Sequence, residues 1–218
     1  MDEPLIIGLG GVAGSGKDTF FNNLKRVLGS RATFDLKVKR YSFGDELKKE
    51  VNQWTTTHYG IDAVNCDRVE KEKIRSFLIS HGVIKRNRTE GQYWIDKVEK
   101  AVSSDEDRPD IACITDVRYN HYKNDEASWV KGKGGVLVYI RRMTVKSNKE
   151  GMVTHSCLQA KNPEEQIHDP KVLSVADYIA SVKDVEESRI EETLELEIDK
   201  LTKWLQENGG EKWSRLLT

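Results

Sequence analysis

Apolar residues along this chain fall into two patterns, short near-continuous runs and longer stretches in which they return every third or fourth position. Leu5 to Leu9, Ile111 to Thr115 and Val136 to Ile140 are runs of the first kind, as expected of strands buried on both faces of a parallel sheet. Val38 to Phe43 reads as a further strand and Ala176 to Ile179 as a last, short one. From Asp18 onward, Phe21, Leu24, Val27 and Leu28 share one face of a helix. Further helices are expected from about Asp45, over Lys71 to Ser80 and over Tyr93 to Val102. Near the C-terminus Ile190, Leu194, Ile198, Leu201 and Leu205 form a helical stripe. Acidic residues crowd its start and Lys200 and Lys203 its end, which suits the helix dipole, and Gly209 and Gly210 stop it. Met143 to Pro170 shows neither period and reads as polar and irregular. Strands alternating with helices predict an α/β fold of three layers, a five-stranded parallel sheet covered on both faces. The absence of repeats and of Pro/Gly/Ser linkers favours a single domain over residues 1–218.

Composition narrows the function classes. A chain of 218 residues with 37% hydrophobic content has enough apolar material for one proper core. Thirty-five basic residues against thirty-six acidic ones leave a formal charge of -1. Such balance gives no general attraction to nucleic acid or to an anionic membrane, so phosphate binding has to come from a local concentration of charge. Cys66, Cys113 and Cys157 lack metal-ligand spacing and read as reduced thiols. The acidic start, Met1-Asp2-Glu3-Pro4, is not that of a signal peptide, and no apolar run approaches the ~20 residues of a spanning helix. A cytoplasmic protein is expected, monomeric or homodimeric, with a small-molecule substrate and neither nucleic acid nor membrane as partner.

The chemistry lies between the first strand and the first helix. Gly11-Val12-Ala13-Gly14-Ser15-Gly16-Lys17-Asp18-Thr19 has the GxxxxGK spacing of a P-loop in the strand-to-helix setting that such a loop requires. Its glycines let the backbone curl so that N–H groups of Gly11, Ala13, Gly14, Ser15 and Gly16 cradle phosphate oxygens, and the helix N-terminus adds partial positive charge. Lys17 is expected to reach the β- and γ-phosphates of ATP and to stabilise charge as the γ-phosphoryl transfers. After the lysine, where a Ser or Thr usually holds magnesium, stands Asp18, followed by Thr19. Asp18 either holds Mg2+, directly or through water, or caps the helix and leaves that work to Thr19.

Together with later motifs, Gly16-Lys17-Asp18-Thr19 resembles the deoxynucleoside monophosphate kinases of tailed bacteriophages, within the nucleoside monophosphate kinase family. Tyr41-Ser42-Phe43-Gly44-Asp45-Glu46-Leu47-Lys48 looks like that family's second strand and substrate-side helix. Arg75, Gly82, Arg86 and Tyr93-Trp94 are similar to its Arg…Gly…Tyr-Trp segment, Asp116-Val117-Arg118 to its Asp-x-Arg, and Val138-Tyr139-Ile140-Arg141-Arg142 to a fourth strand entering an arginine lid. The resemblance spans most of residues 5 to 180. It departs at Ile79, where the family often has Gln, and at Asn124-Asp125-Glu126, where an expected Asn/Glu is displaced; both bear on which base is accepted. It implies ATP and Mg2+, a monophosphate-binding region at about 44–105 and a lid at about 141–170.

Individual residues then carry alternatives. Asp116, ending a buried strand, serves magnesium or its water shell, caps a helix or makes a salt bridge. Arg118, at the carboxyl edge of the sheet, forks onto the acceptor phosphate or makes an ion pair. One of Arg141 and Arg142 brings positive charge over both substrates once the lid closes. Arg75 and Arg86 are candidates for the acceptor phosphate and Lys48 a weaker one, while Trp94 stacks on the base or fills the core. No general base is expected, because the attacking oxygen is an ionised phosphate. Two other readings stand beside this one. The first is a small-metabolite P-loop kinase of the phosphomevalonate or dephospho-coenzyme A type. The second is a nucleotide-gated binding module, against which counts the absence of an Asn-Lys-x-Asp motif.

Overall fold

The computed structural model describes residues 3–32, 34–147, 153–183 and 187–217. Along the chain these form β1 (Leu5–Gly10), α1 (Lys17–Arg31), β2 (Val38–Tyr41), α2 (Phe43–Tyr59), α3 (Arg68–Arg88), α4 (Gln92–Ser103) and β3 (Ile111–Val117). They continue with α5 (Glu126–Gly132), β4 (Val136–Ser147), β5 (Val153–Cys157), α6 (Pro163–Leu173), β6 (Tyr178–Lys183), α7 (Glu187–Asn208) and α8 (Glu211–Leu216). Parallel pairing gives the order β2-β3-β1-β4-β6, the expected five parallel strands. A sixth, β5, pairs antiparallel with the far end of β4.

The continuous apolar runs are explained by burial on both sides of the sheet. Successive strand residues point to opposite faces, and here each face meets helices. Ile7, Leu9, Cys113, Val138 and Ile140 join Phe20, Leu24 and Leu28 of α1 and Leu194, Ile198, Leu201 and Leu205 of α7 in one core. Ile6, Ala112, Ile114, Leu137 and Tyr139 pack on the opposite face against α4, α5 and Val172 of α6. Leu24 and Leu28 are wholly buried, where truncation to Ala costs about 2–5 kcal/mol. The side chain of Ile190, the first residue of the expected C-terminal stripe, lies outside those described. A smaller core of Val51, Ile61, Ala63, Ile74 and Leu78 joins α2 to α3 beside the main body.

Several boundaries move. α3 begins at Arg68, because Asp67 and Glu70 form a reciprocal capping box, and runs on to Arg88. β6 starts at Tyr178 rather than at Ala176. The stretch from Met143 to Pro170, expected to be irregular, instead holds the end of β4, strand β5 and most of α6. Asn162 caps α6 by accepting from the Glu165 amide, with Pro163 at the first turn. Among the described residues no helix is long and apolar enough to cross a membrane.

Candidate phosphoryl-transfer site

All five parallel strands point their carboxyl ends the same way, so the turns after β1, β2 and β3 converge at one edge of the sheet, where ligands bind in open α/β folds. Residues 11–16 form a curled loop between β1 and α1. Gly11 has φ 130°, and a Cβ on it would lie 2.6 Å from the Ile140 carbonyl oxygen; Gly16, at φ 92°, occupies the cap of α1. Both conformations exclude ordinary side chains. Lys17, the first helical residue, folds back over the loop, its Nζ donating to the carbonyls of Gly11 at 2.7 Å and Val12 at 2.9 Å. It is buried, and this loss of water, with repulsion from Arg118 next, pulls its pKa from 10.5 down to about 8.

A cleft of about 730 Å3 runs from this loop to the region between α2 and α3. It brings together Gly11, Ala13, Gly14, Gly16, Lys17, Asp18 and Thr19 with Lys48, Arg75, Arg86, Trp94, Asp116, Arg118 and Arg142. Two candidates stay out of it. Ser15 is buried, its Oγ without a hydrogen-bond partner among the described residues. Arg141 does not line the cleft, whereas Arg142, its neighbour on β4, does and donates to the Gly14 carbonyl at 3.4 Å. Neighbours on a strand face opposite ways, so of the pair it is Arg142 that faces the cleft.

Contacts sort the remaining residues. Arg118 donates through Nη1 to Glu165 Oε1 at 2.9 Å, and the same oxygen accepts from the Ala13 amide at 3.2 Å. Glu165 therefore ties the P-loop to the carboxyl end of β3 from its seat on α6, and its Oε2 is buried without a hydrogen-bond partner among the described residues. Asp116 accepts from Ser42 Oγ (2.9 Å) and from the amides of Phe43 (2.9 Å) and Gly44 (2.8 Å). It thus serves the first turn of α2, the helix-capping alternative. Arg86 is almost fully buried, paired with Asp125 and stacked over Tyr119 and Tyr122 at 3.9 and 4.7 Å. With its charge answered by a buried carboxylate, it ties α3 to the start of α5 rather than standing open to a phosphate. Trp94 is buried, its indole N–H donating to the Gly82 carbonyl at 3.0 Å, so it is a core residue that shows the cleft only an edge of its surface. Lys48 pairs with Asp45 at 3.0 Å and Arg75 with Glu72 at 2.7 Å, both within their own helices.

Arg40, Lys71, Glu165 and His168 line the cleft and were not anticipated from the sequence, and Asp45 and Glu126, which the sequence showed only inside longer motifs, line it too. Arg40 bridges Asp18 (3.3 Å) and Asp45 (2.5 Å). Glu126 is buried and accepts from the Arg118 amide at 2.6 Å; burial raises its pKa well above the usual carboxylate range. Only Glu165 had a readable signal, since Asn162-Pro163-Glu164-Glu165 is a helix-start pattern.

The residues fit a nucleotide triphosphate with its magnesium. The curled loop and the inward Lys17 suit phosphates, and Asp18 and Thr19 are exposed at the mouth of the cradle. Three hydrogen bonds leave Asp116 one of its roughly four acceptor sites, enough for a water of a metal's shell. Mg2+ typically takes only one or two carboxylates, the rest of its shell being phosphate oxygen and water.

Comparison of the chain with known protein families finds no match, and comparison with curated proteins finds none. Solved structures with a similar chain path include a shikimate kinase from Bacteroides thetaiotaomicron, at 14% identity and TM-score 0.44 over 93% of this chain and 98% of that one. A shikimate kinase from Acinetobacter baumannii in complex with shikimate overlaps at 14% identity and TM-score 0.38, covering 95% and 96% of the two chains. A gluconokinase from Sinorhizobium meliloti 1021 overlaps at 13% identity and TM-score 0.36, covering 94% and 97%. Overlaps this loose say nothing about substrate, and the site stands on its own geometry.

Proposed function

We propose that this chain transfers the terminal phosphoryl group of ATP to the phosphate of a deoxynucleoside monophosphate, giving ADP and the diphosphate. The observation that carries the reading is that the P-loop and a second group of basic side chains share one cleft. The Gly11–Thr19 loop binds the ATP phosphates, with Lys17 following the γ-phosphoryl as it moves. Asp18 or Thr19, and Asp116 through water, would hold Mg2+, which when bound would supply charge neutralisation for the phosphates. Arg118 and Arg142 stand where charge develops between donor and acceptor, each now held by a protein oxygen, Glu165 Oε1 or Gly14 O. Positioning and charge suffice, because the acceptor oxygen is already ionised.

The test is ADP formation against a panel of deoxynucleoside monophosphates, ribonucleoside monophosphates and phosphorylated small metabolites. Turnover of one or more deoxynucleoside monophosphates is the expected result, and turnover of none sinks the substrate assignment. A small phosphorylated metabolite is the second reading. It is favoured by the largely aliphatic wall of the acceptor half, Leu47, Leu78, Ile79 and Val83, and by Trp94 being committed to the core. The metabolite arm of the panel separates the two.

A further inference from the structure

α3 presents one stripe to the cleft: Lys71, Arg75, Leu78, Ile79, Gly82 and Val83. These positions recur at helical spacing, so the stripe is one face of the helix, cationic over its first turns and aliphatic beyond. At 1.5 Å per residue the stripe runs about 18 Å from Lys71 to Val83. That length suits a small ligand with an anionic end and an uncharged body.

Within that cationic part Lys71 differs from every basic neighbour. Lys48 has Asp45, Arg75 has Glu72, Arg86 has Asp125 and Arg118 has Glu165. Lys71 has no ion pair or side-chain hydrogen bond among the described residues. It is half-buried. It also sits in the first turn of α3, where the helix dipole opposes a cation. Burial comes first among the causes that lower its pKa, followed by repulsion from Lys48 and Arg75, with Arg118 adding to it. A half-buried lysine without a counter-ion of its own, beside other cations, destabilises the ligand-free protein, and the arrangement makes physical sense where a polyanion completes it.

We infer that Lys71, with Arg75 one turn along α3 and Lys48 from α2, receives the dianionic phosphate of the acceptor, while Arg86 serves the fold. This rests on the phosphoryl-transfer reading above and deepens it. It requires an acceptor that enters already phosphorylated, and it moves the acceptor subsite from the buried end of α3 to its exposed start.

The test compares wild type with Lys71→Met and Lys71→Arg, using whichever monophosphate the wild type turns over. Lys71→Met is expected to raise the acceptor KM by ten- to a hundredfold and to leave the ATP KM within twofold. Lys71→Arg, which keeps the charge, recovers most of the loss. An acceptor KM within twofold of wild type in Lys71→Met overturns the inference while leaving the kinase reading intact. Thermal unfolding without ligand supplies a second readout. Removing an unpartnered cation should leave the melting temperature equal or higher, and millimolar inorganic phosphate should raise that of the wild type more than that of Lys71→Met. A lower melting temperature for Lys71→Met, or equal protection by phosphate, overturns the inference. If the wild type turns over no monophosphate, the substrate assignment fails and this unfolding comparison alone decides the subsite.

Discussion

Lys17 makes a prediction in which function and stability pull apart. Its ammonium is buried against the carbonyls of Gly11 and Val12, and its pKa is held at about 8 against 10.5 for a free lysine. A fall of roughly 2.5, at about 1.4 kcal/mol for each factor of ten, makes the charged side chain about 3 kcal/mol costlier in the folded protein than in the unfolded chain. Because the folded value is the lower one, the unfolded chain holds more protons between about pH 8 and 10.5. Stability therefore rises with pH across that window, and below pH 8 the full cost is present. Lys17→Met keeps the length and removes the charge. It should stabilise the ligand-free protein at pH 7 by about 1–3 kcal/mol, the upper figure reduced by two lost hydrogen bonds. For a chain of this size that is a rise of roughly 2–10 °C in Tm. The advantage should shrink as pH is raised towards 10, and the difference between the two proteins cancels the other titrating groups. The same variant should lose ATP binding and most turnover. Denaturant or thermal melts at pH 7 and pH 10 measure the first effect, and nucleotide titration the second. A variant that is less stable at pH 7, or one whose difference from wild type ignores pH, would refute the picture of a strained, ligand-awaiting lysine.

Other consequences are simpler to state. Arg118→Ala should weaken acceptor use, in KM or kcat, by tenfold or more with a smaller effect on ATP binding; an unchanged acceptor KM and kcat in a folded variant removes it from the site. Asp116→Ala should destabilise the protein by about 2 kcal/mol, because it strips three hydrogen bonds from the start of α2; unchanged stability with lost magnesium dependence would instead assign Asp116 to the metal. Glu165→Gln should tighten ATP several-fold and ADP less, since the carboxylate lies on the Ala13 amide and beside Lys17; an equal change, or none, in the two affinities would show that Glu165 does not oppose the γ-phosphate.

The sheet, the P-loop and most helices were legible because both-face burial writes strands as apolar runs and one-face burial writes helices as stripes. α6 was missed for a physical reason. Its buried residues are Glu165 and Val172, and Ile167 is exposed, so only its last turn reaches the core and the rest of its inward face is polar and meets the cleft. A search for apolar periodicity passes over such a helix, although Asn162-Pro163 marks its start. Asp116 showed its alternatives in the sequence, and the choice needed the position of α2. Arg86 looked like a phosphate ligand from its place in a motif, but a buried partner 39 residues away in sequence, Asp125, was not visible there. Lys71 lies in the run Glu70-Lys71-Glu72-Lys73, which reads as a solvated face. Nothing in that run marks the one lysine that the turn of α3 directs into the cleft.

The cations of the cleft are answered from within the protein: carbonyls on Lys17, Glu165 on Arg118, Asp45 on Arg40 and Lys48. Each such pair offsets part of the cost of a cation taken from water. Glu165 is placed differently from the rest, because one of its oxygens holds both a P-loop amide and Arg118. On the proposed reading, a γ-phosphate seated against the Ala13 amide would compete for that oxygen's place and leave Arg118 without this partner, so that donor binding and acceptor readiness would meet at one carboxylate carried by α6. Apart from its last turn, where Val172 and Leu173 reach the core, α6 turns this polar face inward instead of an apolar stripe.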